Sequence, residues 1–194
     1  MPQIDFDGAN SAVKTDKIQG QSGTTVTVPT GHTVAITDSG GLTLAGTAVN
    51  AGALSPIIGA SAYRSGTQLI ADSTNVQVQL NAELYDPNSD FDHTSGYDYV
   101  VPENGKYVVS VTLWLDNGNT TGYVEVYVYK NGSAVRVFKH RPTITTNQGC
   151  GGTCILNLST NDSIEMWVGH NMGSSIDVMS GSTITTFDIQ KIAE

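Results

Sequence analysis

The 194-residue sequence has little positive charge and no long apolar run, and each shortage excludes a class of protein. Nine lysines and arginines stand against eighteen aspartates and glutamates, for a formal net charge of −9, so the chain as a whole repels nucleic acid. No apolar stretch approaches the roughly 20 residues of a bilayer span, and the opening MPQIDFDGAN is not a basic-then-apolar leader. We therefore expect no nucleic-acid partner, no membrane insertion and synthesis in a cytoplasm.

Cysteine is also scarce. The two cysteines, Cys150 and Cys154, are too few to hold a chain of this size together by disulfides. The glycines between them predict a loop, in which the pair either stays reduced, as a cytoplasmic origin favours, or closes a small hairpin disulfide. Stability must therefore come from a packed core or from oligomerisation.

The sequence is rich in Val, Thr, Ser and Gly, a composition typical of β-sheet proteins, and no segment repeats at the helical period. Beyond residue 63, strand-like runs cut by Gly, Asn or Asp follow one another closely: 76–84, 98–101, 106–115, 122–130, 134–138, 154–158, 163–169, 175–179 and 183–192. Asn131-Gly132 between two such runs predicts a hairpin, because both residues tolerate positive φ. The pattern predicts an all-β protein with an antiparallel jelly-roll sandwich.

The segment 23–46 has a different sequence pattern, since it consists of three eight-residue repeats, the octads GTTVTVPT, GHTVAITD and SGGLTLAG. Each octad carries two apolar residues at strand spacing, followed by turn residues. The apolar pairs are Val26 and Val28, Val34 and Ile36, Leu42 and Leu44. Six such residues cannot offset the ordering entropy of the segment, so we expect three chains to share them in a short β-prism or β-helical shaft. The alternative is a three-stranded meander packed on the rest of the chain.

These sequence patterns divide the chain into three predicted parts. Residues 1–22 form an N-terminal attachment arm with Ile4 and Phe6 as its apolar anchors, 23–55 form the octad shaft and neck, and 56–194 form the jelly-roll head. The small, nearly uncharged stretch 47–62 is interpreted as the neck or linker.

Several motifs of the head fall in the order found in a known superfamily. The run YDYVVPENGKYVVSV contains Pro102, Gly105 and Tyr107, YKNGS follows at 129–133, and LNLSTNDSIEMW follows at 156–167. Over roughly residues 60–192 the chain resembles the complement globular-head and tumour necrosis factor-like superfamily, which implies a trimeric jelly roll. The closing STITTFDI departs from that pattern at Ile184 and Thr186, so the last strand is expected to pack differently.

The octads carry a second resemblance. QGQSGTTVTVPTGHT and DSGGLTLAGT are similar to segments of appendage proteins from tailed bacteriophages. A shaft with a trimeric knob is a virion architecture, although a fold does not by itself imply a function.

The search for catalytic and metal motifs returns little. No nucleophile elbow, phosphate-binding loop or paired-histidine zinc motif is present, and the four histidines are far apart in sequence, so we expect neither an enzyme nor a cofactor. A weak calcium candidate is the loop with oxygen side chains at Asp86, Asn88, Asp90 and Asp92. It has Phe91 where a calcium loop has glycine and lacks the closing glutamate, so a solvated turn is the alternative.

Two further groups are weak candidates for surface binding. Arg136, Lys139, His140 and Arg141 concentrate positive charge within six residues, which fits an acidic sugar, a neighbouring protomer's carboxylates, or simple protection of a sheet edge. The aromatic residues Tyr63, Tyr85, Tyr97 and Tyr99 fit either sugar stacking or burial at a trimer axis.

The sequence as a whole predicts a non-enzymatic homotrimeric structural protein of a phage virion, made in the host cytoplasm. Its N-terminal part would bind a major capsid or tail protein, and its heads would face outward toward the host surface. A short shaft favours a capsid-decorating cement protein or head fibre. The alternatives are a tail-fibre or tail-tip protein that recognises host glycans, and a free lectin-like or secreted trimeric ligand.

Overall fold

A computed structural model describes residues 57–116, 122–142 and 146–194, together with the backbone of two short strands at 42–44 and 47–49. The chain divides into two compact units, Met1–Ser55 and Pro56–Glu194. In the first unit, β1 (Leu42–Leu44) pairs antiparallel with β2 (Thr47–Val49). The third octad therefore contains its expected strand. The remaining shaft residues Val26, Val28, Val34 and Ile36, and the arm residues Ile4 and Phe6, lie outside the described residues.

The second unit is an antiparallel jelly-roll sandwich of two sheets. Its strands are β3 (Gly59–Tyr63), β4 (Gln68–Ile70), β5 (Val76–Gln77), β6 (Ala82–Tyr85), β7 (Phe91–Asp92), β8 (Asp98–Val100), β9 (Gly105–Leu115), β10 (Val124–Lys130), β11 (Ser133–His140), β12 (Gln148–Leu158), β13 (Ser163–His170), β14 (Ile176–Val178) and β15 (Thr186–Ala193). The six-stranded sheet has the order β11-β10-β13-β8-β7, with β5 also on β13. The seven-stranded sheet has the order β4-β14-β9-β15-β3-β6, with β12 also on β9.

The core lies between the two sheets and follows strand alternation. Along β9, every second residue from Tyr107 to Leu115 is fully buried, and Val124, Val126 and Val128 of β10 are buried opposite them. This period-2 pattern is the one predicted for a sheet with one face in a core. Within the described residues there is no helix, and therefore none long and apolar enough to cross a membrane.

The Pro-x-x-Gly-x-Tyr step forms a closed turn at the start of β9. The Tyr107 hydroxyl donates to the Glu103 carbonyl oxygen at 2.8 Å, which ties the turn to the buried ring. A Cβ on Gly105 would lie 2.6 Å from the carbonyl oxygen of Ala193, so only glycine fits where the last strand passes. Packing at the start of β9 thus explains why the Pro-x-x-Gly-x-Tyr motif has glycine and tyrosine at these positions.

The predicted hairpin at Asn131-Gly132 is confirmed and is joined to a neighbouring turn. Asn131 and Gly132 have φ values of 51° and 75°, as a type I′ turn requires. The Asp162 carboxylate accepts hydrogen bonds from the Asn131 amide at 2.8 Å and the Ser159 N–H at 2.7 Å, and it pairs with Lys130 at 2.6 Å. This cluster holds two turns together at one end of the sandwich.

The structure corrects the predicted strand at 76–84. Val76, Val78 and Leu80 alternate as a strand would, but the chain leaves the six-stranded sheet after β5 and enters the seven-stranded sheet at β6. Val78 and Leu80 are fully buried between the sheets during this crossing. The alternation of apolar residues therefore predicted their burial correctly, but the prediction of one continuous strand over 76–84 was wrong.

The predicted loop around the cysteines is also wrong, because Cys150 and Cys154 both lie inside β12. The glycines there serve packing. A Cβ on Gly151 would collide with the Val111 carbonyl oxygen, and one on Gly152 with the Phe138 ring. Four residues of extended strand separate Cα atoms by about 13 Å, beyond the roughly 7 Å limit for a disulfide, so the hairpin disulfide is excluded and both thiols are free.

The predicted neck at 47–62 is corrected in the same way. It contains β2, and it also contains β3, an interior strand of the seven-stranded sheet that pairs with β15 on one side and β6 on the other. Ala60 and Ala62 are fully buried. Their small side chains resemble a linker in composition but fit the tight space beneath neighbouring strands.

Candidate functional site

The outer surface of the seven-stranded sheet, here called the seven-stranded face, combines small and apolar side chains with polar ones and with the charged Lys106 and Asp188. Alternation places on it the residues that do not enter the core. They are Val108, Ser110, Thr112 and Trp114 on β9, Gly149, Gly151, Thr153 and Ile155 on β12, and Thr186, Asp188 and Gln190 on β15. Val108, Trp114 and Ile155 add apolar area to a surface that is otherwise mostly polar, as the solvated face of an antiparallel sheet commonly is.

Strand register orders this face into rows. Tyr85, Ser61, Asp188, Ser110 and Thr153 lie side by side across five strands. The Ser61 hydroxyl donates to Asp188 at 2.5 Å, and the Thr153 hydroxyl donates to Ser110 at 3.0 Å. Four of the five residues in the row are therefore hydrogen-bonded in two pairs, Ser61 with Asp188 and Thr153 with Ser110.

Large apolar groups frame this row. Gln190, Val108 and Ile155 form the next row, and a depression of about 190 Å³ lies between Tyr85, Val108 and Asp188. Ile155 is 56% exposed and Tyr85 is 41% exposed. Burial raises the pKa of the Tyr85 hydroxyl, and the carboxylates of Asp188 and Asp86 raise it further. The arrangement offers apolar area that could contact another protein surface.

Trp114 extends the seven-stranded face toward one end. Its side chain lies over Gly149, where a Cβ would be 3.0 Å from the indole Nε1, and it is 39% exposed. Trp114, Ile155 and Tyr85 are exposed apolar groups at three separate places on this surface, since Trp114 and Ile155 lie six residues apart along the paired strands β9 and β12 and Tyr85 lies on β6.

The acidic loop uses its carboxylates internally. Asp86 accepts from the N–H groups of Asp90 and Phe91 at 3.1 and 2.8 Å. Asp92 accepts from the hydroxyls and N–H groups of Thr94 and Ser95 and from the N–H of Gly96. The Thr94 and Ser95 hydroxyls contribute most to lowering the pKa of the Asp92 carboxyl.

The other two members of that loop, Asn88 and Asp90, interact with each other through a side-chain hydrogen bond. Asn88 donates to the Ile57 carbonyl oxygen at 3.3 Å, while burial, with the nearby Asp86, raises the pKa of Asp90. In the part of the chain that the structure describes, no three acidic, histidine or cysteine side chains form a group that could hold a metal. Calcium binding stays a prediction, and the contacts explain the loop as a self-bonded turn.

The basic cluster is divided between two faces of β11, an edge strand of the six-stranded sheet. Lys139 lies opposite Glu125 on the outer face, pairs with it at 2.7 Å and covers the Tyr123 ring at 3.5 Å. Arg136 and His140 lie opposite the buried Val128 and Val124 and so are on the other face. Arg141 follows the strand. The structure therefore does not gather these four residues into one anion site.

The four tyrosines proposed for stacking are also dispersed. Tyr99 is fully buried, with its ring centroid 6.4 Å from that of Tyr107, and burial raises the pKa of its hydroxyl. Tyr63 and Tyr97 are half-buried, and Tyr85 lies on the seven-stranded face. Of this set, Tyr85 and Tyr63, which lies opposite Thr186, belong to the seven-stranded face.

Sequence reasoning missed a second aromatic group, on the outer face of the six-stranded sheet. Tyr127, Tyr129 and Trp167 are in ring contact there, beside Glu125. The signal was present, because the buried alternation of Val124, Val126 and Val128 places the intervening residues on the opposite face. What the sequence lacked was the register that brings Trp167 opposite Tyr127.

Comparison with known proteins identifies the fold. No family model matches the chain. The chain is 23% identical over 142 residues to the Bacillus subtilis (strain 168) protein YqcC, whose name describes it only as uncharacterized. That match covers 66% of this chain and 38% of YqcC, so the chain corresponds to well under half the length of this relative.

Solved structures are similar over the jelly-roll unit. Eiger TNF from S. frugiperda matches with a TM-score of 0.55 at 12% identity, over 72% of this chain and 94% of that one. The globular domain of zebrafish complement 1qA matches at 0.51 and 15% identity, over 71% and 98%. Murine APRIL matches at 0.53 and 11% identity, over 71% and 100%. The described head is a TNF- and C1q-like jelly roll.

Proposed function

We propose that the chain is a non-enzymatic homotrimeric structural protein of a tailed-phage virion, with jelly-roll heads that associate through the seven-stranded face. The observation that carries the proposal is the set of exposed apolar groups on that face, with Ile155 56% exposed and Trp114 39% exposed. Removing such apolar area from water against a second copy stabilises the association of the two copies. The solved structures that the head resembles bear names of TNF and complement proteins, and none of the three names denotes an enzyme.

The centre of the face supports close approach of another protomer. Ser110, Thr112, Gly151 and Thr153 have small side chains or none, and the polar groups of the central row are already hydrogen-bonded. Burying these two pairs against a neighbour leaves fewer unsatisfied groups, and the contact must also accommodate the charge of Asp188, to which the Ser61 hydroxyl donates. The larger groups at the periphery supply the apolar contact.

The virion part of the proposal rests on the N-terminal segment. The octads at 23–46 are similar to segments of tailed-phage appendage proteins, and their six apolar residues are too few for an isolated chain. A shared shaft would satisfy them, and residues 1–22 would attach it to a major capsid or tail protein. Three weak attachments acting together give one firm attachment.

Sedimentation equilibrium of the full chain tests the association. We expect a trimer, and we expect Ile155→Glu to shift it toward monomer, because three carboxylates would be placed at an apolar contact between the heads. Val137→Glu is the matched control, since Val137 is also a β-branched residue on an edge strand and is 53% exposed, but on the six-stranded sheet. A monomeric wild-type chain, or equal effects of both variants, would contradict the proposed interface.

The location on a virion is tested separately, by imaging particles that carry a tagged copy. Copies spread over the shell support capsid decoration, and copies at one vertex support a tail fibre. Absence from all particles, combined with binding to cells or soluble glycans, would support a free lectin-like protein instead.

A further inference from the structure

The outer face of the six-stranded sheet carries a continuous row of aromatic rings, here called the aromatic face: Tyr127, Tyr129 and Trp167, with Tyr123 beside them. Tyr129 stacks on Trp167 with ring centroids 4.7 Å apart and an interplanar angle of 17°. Tyr127 meets Tyr129 edge to face at 6.0 Å. All four side chains are half-buried, so each presents part of its ring surface to solvent.

Carboxylates are fixed along the same row by the aromatic residues themselves. Glu125 accepts from the Tyr127 hydroxyl at 2.5 Å and pairs with Lys139 at 2.7 Å. Glu165 accepts from the Trp167 indole N–H at 2.7 Å. An ionised carboxylate has about four acceptor positions, so each keeps the capacity to accept from hydroxyl groups of a ligand. Hydrogen bonds from Lys139 and Tyr127 outweigh the effect of burial and lower the pKa of Glu125, which keeps it ionised at neutral pH.

A pocket of about 340 Å³ opens at one end of the row, between Tyr123, Tyr127, Glu125 and Asn75. Its floor is Gly169, which lies directly opposite Glu125 in the sheet. A side chain on Gly169 would collide with the Asn75 amide oxygen, and Asn75 also forms a hydrogen bond with Tyr127. Glycine at this position thus keeps both the pocket and its polar rim in place. The volume lies at the lower end of the range of roughly 300–1,000 Å³ found for ligand pockets.

We propose that the aromatic face is a carbohydrate-binding site for neutral pyranose units of a surface glycan, which stack on Trp167 and Tyr129 and donate hydroxyl hydrogen bonds to Glu125 and Glu165. Aromatic walls with a few fixed polar groups are the usual composition of a small-ligand site, and a pyranose has both an apolar C–H face and a rim of hydroxyls. Carboxylates beside the rings disfavour sulfated, phosphorylated or uronic sugars. The charge of the chain, −9, acts in the same direction.

This site goes beyond the proposed virion role and does not depend on it. The aromatic face and the seven-stranded face belong to different sheets, and both point away from the core between them. Association through the seven-stranded face therefore leaves the aromatic face open. A monomeric head would keep each individual site.

The two tryptophans of the chain, one on each sheet surface, provide a matched test. Trp114→Phe leaves Trp167 as the sole tryptophan, so its fluorescence reports a ligand at the aromatic face. Titration with soluble neutral oligosaccharides, chosen from a glycan array probed with the full chain, should change this emission saturably. A sulfated oligosaccharide of similar length should not.

Affinity for the same soluble oligosaccharide should fall at least tenfold in Trp167→Ala and severalfold in Glu125→Gln, but should be unchanged in Leu69→Ala, which removes an exposed apolar side chain from β4 of the other sheet. Circular dichroism and the unfolding midpoint identify any variant that has lost its fold, and Trp167→Phe, which keeps a ring, should retain part of the affinity. The proposal is overturned if no neutral glycan on the array binds, if only acidic glycans bind, or if folded Trp167→Ala binds like wild type.

Discussion

Replacing the glycines of β12 one at a time by alanine tests how this segment is built, because each Cβ would meet a different obstacle. At Gly149 the obstacle is the movable side chain of Trp114, 3.0 Å away, and relief of glycine's backbone entropy, about 0.5–1 kcal/mol, offsets the contact. We expect Gly149→Ala to change the free energy of unfolding by less than about 0.5 kcal/mol.

The next two positions are more constrained. A Cβ at Gly152 collides with the ring of Phe138, which belongs to an edge strand and is only half-buried, so repacking should cost about 1–2 kcal/mol. A Cβ at Gly151 collides with the carbonyl oxygen of Val111, in the strand directly paired with β12. Because backbone must move there, Gly151→Ala should cost more than about 3 kcal/mol.

The assay is urea unfolding at one fixed protomer concentration, since association makes apparent stability depend on concentration, with the midpoint compared at constant m. The expected order of destabilisation is Gly151→Ala, then Gly152→Ala, then Gly149→Ala. A loop at 149–152 would accept all three alanines. If the three midpoints agree to within about 0.5 kcal/mol, the strand geometry argued here is wrong.

Two further outcomes concern buried groups. Burial alone raises the pKa of Asp162, but the Lys130 ammonium and the Ser159 N–H outweigh it and place the folded pKa below the unfolded value; this stabilisation is complete above about pH 4 and is lost as the pH falls through the folded pKa. Asp162→Asn should therefore flatten the acid limb of stability in urea titrations, and an unchanged limb would contradict this role. Burial also raises the pKa of the Cys150 and Cys154 thiols. A thiol reagent near neutral pH should react much more slowly with native than with denatured protein, and an intramolecular disulfide found in the native fold by mass spectrometry would refute the extended β12.

Strands and turns that can be recognised from their own residues were predicted correctly from the sequence. The strand-like runs at 106–115 and 122–130 identified β9 and β10, and Asn131-Gly132 identified the turn after β10. Each of these features depends on neighbours within a few residues, and the sequence displays those neighbours directly.

The failures occurred where long-range packing decides the conformation. Glycine between Cys150 and Cys154 indicates a turn when judged locally, but at Gly151 the backbone of Val111, distant in sequence, leaves no room for a side chain, and at Gly152 the Phe138 ring crowds the position. Val78 and Leu80 alternate because they are buried between two sheets, which sequence cannot distinguish from burial within one. The aromatic face was missed for the same reason, since the pairing of Tyr127 with Trp167 depends on strand register.

The two outward faces of the sandwich have different consequences for affinity. A single shallow aromatic site of this size binds sugar weakly, because part of the binding energy is lost in ordering the ligand. Three such sites on one trimer would engage a repetitive glycan together, so the second and third contacts form at high effective concentration. Ile155→Glu should then leave the affinity for a soluble oligosaccharide intact while it abolishes retention on a glycan-coated surface, whereas Trp167→Ala should abolish both. That difference follows only if the seven-stranded face sets the number of sites and the aromatic face sets the affinity of each.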